Sequence, residues 1–363
     1  MRLTLRGARL VDAATDLAQG DITIEDGRLV AVGQDGTAPD EPGQVVDAAG
    51  LIALPGFIDV HTHGGGGFNL HATDPEEIVG YARWVAASGV TAFLVGVVGV
   101  PGDLPEAQLR TAAAAVVGWH PGEGAEPLGI HLEGPYISEV RRGAHQTSWL
   151  RKPNPDETER ILALADGTLR LVTLAPELPG AHAMIRRLVE AGVTVSVGHT
   201  DANYEQALEA FALGATHATH CCNAMRPLRH RDPGPLGAIA MSDGVAGEII
   251  ADGVHVHPAM MQVLIKLLGT ERAVVITDAL AGAGNGDDRF EFAGQPARVV
   301  GGAARLADGT LTGSVLTMDQ ALRNVLALPG VSLSAASAML SRNPARAAHA
   351  GERKGMLAPG YDA

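Results

Sequence analysis

A handful of histidines and carboxylates carry the chemistry that this sequence can do. His61 and His63 form a His-x-His pair, and Glu133, His199, His220, His255 and Asp278 follow one at a time. On an extended strand, alternate side chains share a face, so imidazoles two residues apart point the same way. Two neutral imidazoles and a carboxylate suit a borderline-soft divalent cation, Zn²⁺ or Fe²⁺. The pair alone is a weak signal, because a hydrogen-bonded structural pair reads identically. The run Gly64-Gly65-Gly66-Gly67 that follows strengthens it, since glycine permits close backbone approach and unusual dihedrals. Asp278 ends the apolar run Ala273-Val-Val-Ile-Thr. Beside a divalent ion its carboxylate could take a proton from water and pass it on, whereas its structural alternative is a helix N-cap. Glu133, His199 and His220 each have bland readings as well: a loop cap before Pro135, a buried imidazole, a packing partner of Cys221. Their joint placement decides against these readings.

That placement follows from the elements that must hold them. From Gly56 onward, short apolar runs alternate with amphipathic stretches, the pattern of parallel strands with helical crossovers. Eight strands are predicted: 57–61, 92–98, 128–132, 171–175, 194–197, 217–220, 248–251 and 274–277. Helices are predicted at 75–88, 105–119, 181–191, 204–213 and 258–268, and later at 319–327 and 333–342. Eight such units point to a closed α/β barrel, the (β/α)₈ or TIM barrel, whose C-terminal strand ends converge on one mouth. The candidate residues end or follow the first, third, fifth, sixth, seventh and eighth strands. Residues far apart in sequence are thus expected to be neighbours.

Residues 1–55 differ: alternating strands with Asp-Gly and other glycine turns, a small β-domain. Residues 56–345 are assigned to the catalytic barrel and 346–363 to a return into the small domain. Residues 298–311 read as a hairpin turning at Asp308-Gly309.

Composition narrows the function. The chain has 363 residues and a net charge of −14, which argues against nucleic-acid binding. An anionic substrate would need a local cationic anchor, and the densest basic run is Arg226-Pro-Leu-Arg-His-Arg231. No apolar run is long enough for a membrane span, and the first residues lack the apolar core of a secretory leader, so a cytoplasmic enzyme without a membrane partner is expected. Cys221 and Cys222 are adjacent, which excludes an ordinary disulfide framework.

At this point the motifs resemble a known family. Pro55-Gly-Phe-Ile-Asp-Val-His-Thr-His-Gly, Gly129-Ile-His-Leu-Glu-Gly-Pro, Gly198-His-Thr, Ala218-Thr-His-Cys-Cys-Asn-Ala-Met, Arg231-Asp-Pro-Gly, Ala251-Asp-Gly-Val-His and Thr277-Asp-Ala stand in the order found in N-acetylglucosamine-6-phosphate deacetylases of the amidohydrolase superfamily. The resemblance implies a TIM barrel with a small β-sandwich formed by both chain termini. It implies a further strand beyond Tyr361-Asp-Ala, where this sequence stops. It implies Glu133, His199 and His220 as metal ligands, with His61 and His63, and Asp278 beside them, deciding between one and two divalent ions, zinc or iron, per subunit. Asp278 is implied as the catalytic aspartate and His145 as the group that polarises the acetyl carbonyl. Ala144, Asn223, Ala224 and His255 are implied as substrate contacts, and Leu316-Thr317-Met318 as the lining of the acyl end. Arg231 is implied as a phosphate-binding arginine that reaches a neighbouring site in a homodimer, whereas Arg226 and Arg229 are expected to be solvated loop charges. Cys222 stands where the family usually has an aromatic residue.

Superfamily members that bridge two metals with a carboxylated lysine on the fourth strand are poor matches: the three lysines, Lys152, Lys266 and Lys354, lie outside it. The substrate implied is a small amino-sugar phosphate, N-acetylglucosamine 6-phosphate or its galactosamine epimer. A non-catalytic sugar-phosphate-binding protein and a metal-dependent deaminase are the competing readings.

Overall fold

A computed structural model describes residues 2–33, 43–286 and 289–363. Eight parallel strands form its core: β1 (Phe57–Asp59), β2 (Val90–Val98), β3 (Glu126–Glu133), β4 (Leu169–Leu174), β5 (Thr194–Val197), β6 (His217–Ala218), β7 (Ala246–Ile250) and β8 (Ala273–Ile276). Each pairs with the next in parallel register, from β1 through to β8. These strands are near-continuous buried aliphatic runs, because both faces are covered, the inner by side chains across the barrel and the outer by helices.

The seam between β1 and β8 is closed just beyond the strands. The Asp278 N–H donates to the His61 carbonyl at 2.8 Å, and the Thr277 hydroxyl donates to Asp59 Oδ2 at 2.5 Å. Two candidate site residues thus belong to the closure of the barrel itself.

Helices form where the sequence supplies caps and periodicity. Pro75–Val85 starts at Asp74, whose carboxylate accepts from the Glu76 N–H, and buries Ile78, Tyr81, Ala82 and Val85. Tyr204–Ala212 starts with a reciprocal capping box between Asn203 and Gln206.

Strands at 2–11, 16–25, 28–33, 44–47 and 52–53 form a separate sheet around Ala8, Leu10, Ile22, Leu29 and Ala48. The last residues return to it: Arg28 bridges to Asp362, and Leu357 and Tyr361 pack on the same cluster. Among the described residues, no helix is long and apolar enough to cross a membrane.

The segment after β8 departs from expectation. Three antiparallel strands, Arg289–Phe292, Gln295–Val300 and Ala303–Leu306, extend the single hairpin. The expected turn at Asp308-Gly309 is present: the Leu306 N–H donates to the Thr310 carbonyl at 2.9 Å, and Arg305 bridges antiparallel to Leu311. A second turn, unforeseen, lies at Gly301-Gly302, both at positive φ, where Val299 and Val300 pair with Ala304 and Ala303.

Candidate active site

Glu133, the last residue of β3, is the hub. Its Oε1 lies 3.1 Å from His199 Nε2, 3.2 Å from His220 Nε2 and 3.4 Å from His61 Nε2. Its Oε2 lies 3.2 Å from His63 Nε2 and 3.4 Å from His145 Nε2. Asp278 Oδ1 completes the ring, 3.5 Å from His63 Nε2 and 3.6 Å from His61 Nε2. All seven residues are buried, and they form three overlapping groups with metal-ligand spacing: His61–Glu133–His220, His61–His63–Asp278 and Glu133–His145–His199.

Two observations show that the set fits a cation. Donor atoms of like kind face one another: His199 Nε2 and His220 Nε2 are 3.1 Å apart, and the buried His61 Nε2 has no hydrogen-bond partner. Moreover, outer contacts fix which nitrogen points inward. His199 Nδ1–H donates to the Arg141 carbonyl at 2.9 Å and His61 Nδ1–H to Glu248 Oε2 at 2.8 Å, leaving both Nε2 lone pairs on the inner side. Electrostatics agree. Burial alone would depress His61, yet Glu248, Glu133 and Asp278 around it hold its pKa well above the ordinary value. Burial would likewise raise Glu133, but His61 and the hydrogen bonds from His145, His199 and His220 hold it well below the usual carboxylate range. These carboxylates call for positive charge.

The backbone is bent to aim these groups. Among the described residues nine non-glycines have positive φ, and five of them lie here: His199, His220, Cys222, Ala224 and Asp278. Left-handed non-glycine backbone concentrates where function constrains it. At His220 it also ends β6 early, at Ala218; β1 likewise stops short of its histidine, at Asp59 and not His61.

The glycine run has a packing cause. A Cβ on Gly65 or Gly66 would sit 2.2 Å or 2.5 Å from the Trp84 ring. This close approach lets the Gly66 and Gly67 N–H groups donate to Ala283 and Ala281, while the His63 N–H donates to Ala279, tying the loop after β1 to the loop after β8. On β2, Gly96 leaves room for His63: a Cβ there would lie 2.1 Å from the Thr62 carbonyl oxygen.

Over the ring opens a cavity of about 190 Å³. Ala144, His145, Asn223, Ala224 and His255 line it, as expected from the sequence. His255 is oriented by Asp252, whose Oδ2 accepts from Nδ1 at 2.7 Å. Burial depresses His145 to about 4, so its imidazole is neutral at physiological pH.

Two expectations, the segment 316–318 and Arg226, are placed differently. Leu316, Thr317 and Met318 do not line the cavity: Leu316 and Met318 are buried, and the hydroxyl of Thr317, which precedes the helix that begins at Met318, donates to Asp319 Oδ1 at 2.6 Å. Leu311, Thr312 and Gly313 line it instead, with Phe292 of the three-stranded sheet, both unforeseen from sequence. Arg226 is not a free loop charge but pairs with Asp201 at 3.1 Å and Asp232 at 3.4 Å. Arg231 is exposed and lies outside the cavity lining of its own chain. Sequence reasoning also passed over Glu248 and His131, fully buried on β7 and β3. A charged residue inside the apolar run Ala246-Gly-Glu-Ile-Ile was the available signal.

Comparison with known proteins agrees with this geometry. The amidohydrolase family pattern matches residues 52–363. N-acetylglucosamine-6-phosphate deacetylase of Lysinibacillus sphaericus is 33% identical over 364 residues, covering 100% of this chain and 92% of that protein. N-acetylgalactosamine-6-phosphate deacetylase of Escherichia coli is 36% identical over 360 residues, covering 99% and 93%. The crystal structure of N-acetyl-D-glucosamine-6-phosphate deacetylase from Mycobacterium smegmatis superposes with a TM-score of 0.91 at 38% identity, covering 100% of this chain and 94% of that one. The histidine–carboxylate ring at the mouth of this barrel is therefore that of an amidohydrolase, and the chain belongs to the amidohydrolase family, among its amino-sugar-phosphate deacetylases.

Proposed function

We propose that the protein hydrolyses the acetamide of N-acetylglucosamine 6-phosphate to glucosamine 6-phosphate and acetate. The observation that carries this reading is Glu133 at the centre of five imidazoles with Asp278 at their edge, under a cavity sized for a small polar substrate. Glu133, His199 and His220, with His61 and His63, would hold divalent metal, most naturally Zn²⁺ given nitrogen and oxygen donors. Such an ion supplies a water acidified from about 15.7 towards about 7 and a Lewis acid for the carbonyl.

The chain's own groups do the rest. Asp278 takes the proton of the attacking water and hands it to the departing sugar nitrogen, which is a poor leaving group until protonated. His145, neutral and aimed into the same space, donates an N–H to the carbonyl oxygen as charge grows there. His255, held by Asp252, and Asn223 and Ala224 border the sugar side of the cavity. Since Arg231 does not line its own cavity, its role as phosphate anchor goes with a homodimer in which it serves the partner's site.

The test is acetate release from N-acetylglucosamine 6-phosphate and from its galactosamine epimer, with bound metal counted in the same preparation. Turnover of the glucosamine compound by metal-loaded protein supports the proposal. Turnover of the galactosamine compound alone reassigns the substrate, in line with the 36% identity to a deacetylase of that epimer. Sugar-phosphate binding without turnover of either compound refutes catalysis.

A further inference from the structure

Glu248 is a fully buried carboxylate in the middle of β7, and it has no part in the chemistry above. Its Oε2 accepts from His61 Nδ1 at 2.8 Å and from the His220 backbone N–H at 3.0 Å, and its Oε1 accepts from His217 Nε2 at 3.1 Å. No lysine or arginine pairs with it among the described residues. Burying a lone carboxylate costs several kcal/mol unless its lone pairs are met. Here they are met by three donors, two of which belong to residues of the metal-binding ring.

Each contact has a consequence for that ring. The bond to Nδ1 fixes the His61 tautomer, so its Nε2 lone pair faces Glu133, His63 and Asp278. The bond to the His220 N–H holds a residue at φ 27°, which an unsupported non-glycine backbone rarely keeps. His61 belongs both to the group with His63 and Asp278 and to the group with Glu133 and His220. One carboxylate beneath the ring thus steadies a member of each.

We propose that Glu248 is the positioning residue that lets this chain hold two divalent ions, by a charged hydrogen bond that aims His61 Nε2 inward and strengthens it as a ligand for the ion at His61, His63 and Asp278. This rests on the metal-hydrolase reading. An ion at Glu133, His199 and His220, whose facing atoms lie 3.1–3.2 Å apart, would meet Glu248 only through the backbone bond to His220, which a glutamine oxygen would preserve.

The experiment is zinc titration of the metal-free protein, with stoichiometry checked by elemental analysis, for wild type and Glu248→Gln. Glutamine keeps the shape, and its oxygen in the Oε2 position can still accept from both His61 Nδ1 and the His220 N–H, so the variant removes only the charge that makes His61 a strong ligand. Wild type is expected to bind two Zn²⁺ per chain. In Glu248→Gln the weaker site should lose about 10- to 100-fold in affinity, the range for a carboxylate behind a ligating histidine, while the tighter site stays within about threefold. Equal affinities in both proteins, equal weakening of both sites, or a single ion in wild type overturns the proposal. Wild type that binds no zinc tells instead against the metal-hydrolase reading. Should the variant not fold, ¹⁵N-histidine spectra of zinc-loaded wild type decide: a proton on His61 Nδ1 supports the proposal, and its absence overturns it.

Discussion

Asp278→Asn isolates proton transfer from ion binding. The asparagine is nearly isosteric, and its amide oxygen can stay at the 3.5–3.6 Å separation that Asp278 Oδ1 keeps from His63 and His61. Glu133, His199 and His220 are untouched, and the backbone bond from the residue 278 N–H to His61 O does not involve the side chain. At least the Glu133–His199–His220 ion should therefore remain. What is lost is a group able to accept a proton and return it. Positioned acid–base groups contribute about 10²- to 10⁴-fold each, or roughly 3–5 kcal/mol at about 1.4 kcal/mol per decade. Because one carboxylate serves as both base and acid, the fall in kcat is expected at the upper end, about 10⁴-fold, with KM little changed. The assay is acetate release at saturating substrate, with metal content measured on the same sample. A variant within tenfold of wild type would refute the role. Loss of all bound metal together with activity would make Asp278 a ligand first.

Arg231→Ala should raise KM for the phosphorylated substrate by about 10²-fold while leaving the unphosphorylated analogue unchanged, since a charge-assisted contact to phosphate contributes about 1.5–3 kcal/mol; equal effects on both compounds would remove Arg231 from the phosphate site. Gly65→Ala places a Cβ 2.2 Å from the Trp84 ring, with no positive φ to strain the backbone, so the cost is overpacking of about 1–3 kcal/mol. Its melting temperature should fall by several degrees and largely recover in the double variant with Trp84→Leu. The imidazole of His71 accepts from the Val98 N–H at 3.2 Å, and burial, then the charges of His63 and His145, depresses its pKa from 6.5 to about 3. A folded pKa below the unfolded one means that this contribution is full above pH 6.5 and is lost as pH falls towards 3, by up to about 1.4 kcal/mol per unit. The melting temperature of metal-free His71→Gln should accordingly fall less steeply than that of wild type between pH 6.5 and 4, and parallel slopes would contradict the assignment.

Much of this was legible in the sequence, for identifiable reasons. Buried parallel strands are apolar on both faces, so the eight runs were visible as blocks, and barrel topology then gathered Glu133, His199, His220 and Asp278. Strand ends were less legible because the site residues themselves leave the strand: a histidine at φ 27°, like His220, carries no mark in its letter. The segment 316–318 was misplaced by five residues because Leu-Thr occurs twice, at Leu311-Thr312 and Leu316-Thr317, and only the cavity lining separates them. Phe292 was hidden for another reason. It reaches the site from the three-stranded sheet inserted after β8, outside the βα repetition that organises everything else, and packs 5.6 Å from the His63 ring.

The closure of the barrel and the aim of the ligands are one problem with one solution. A sheet of eight strands must join its first to its last, and here the joining bonds come from Asp278 to His61 and from Thr277 to Asp59. The residues that bend out of their strands are each anchored by a neighbour: the His199 carbonyl accepts from the Ser138 N–H at 2.8 Å, the Asp278 carbonyl from the Ser314 N–H at 2.6 Å, and the His220 N–H donates to Glu248. Left-handed non-glycine backbone costs about 1–2 kcal/mol per residue and would relax if these anchors were loose. They are fastened to adjacent strands or to the loops that follow them, so relaxation would require the barrel to open. The site is therefore as rigid as the fold, which is what a proton carrier needs when it must meet water and leaving nitrogen in turn without moving away from either.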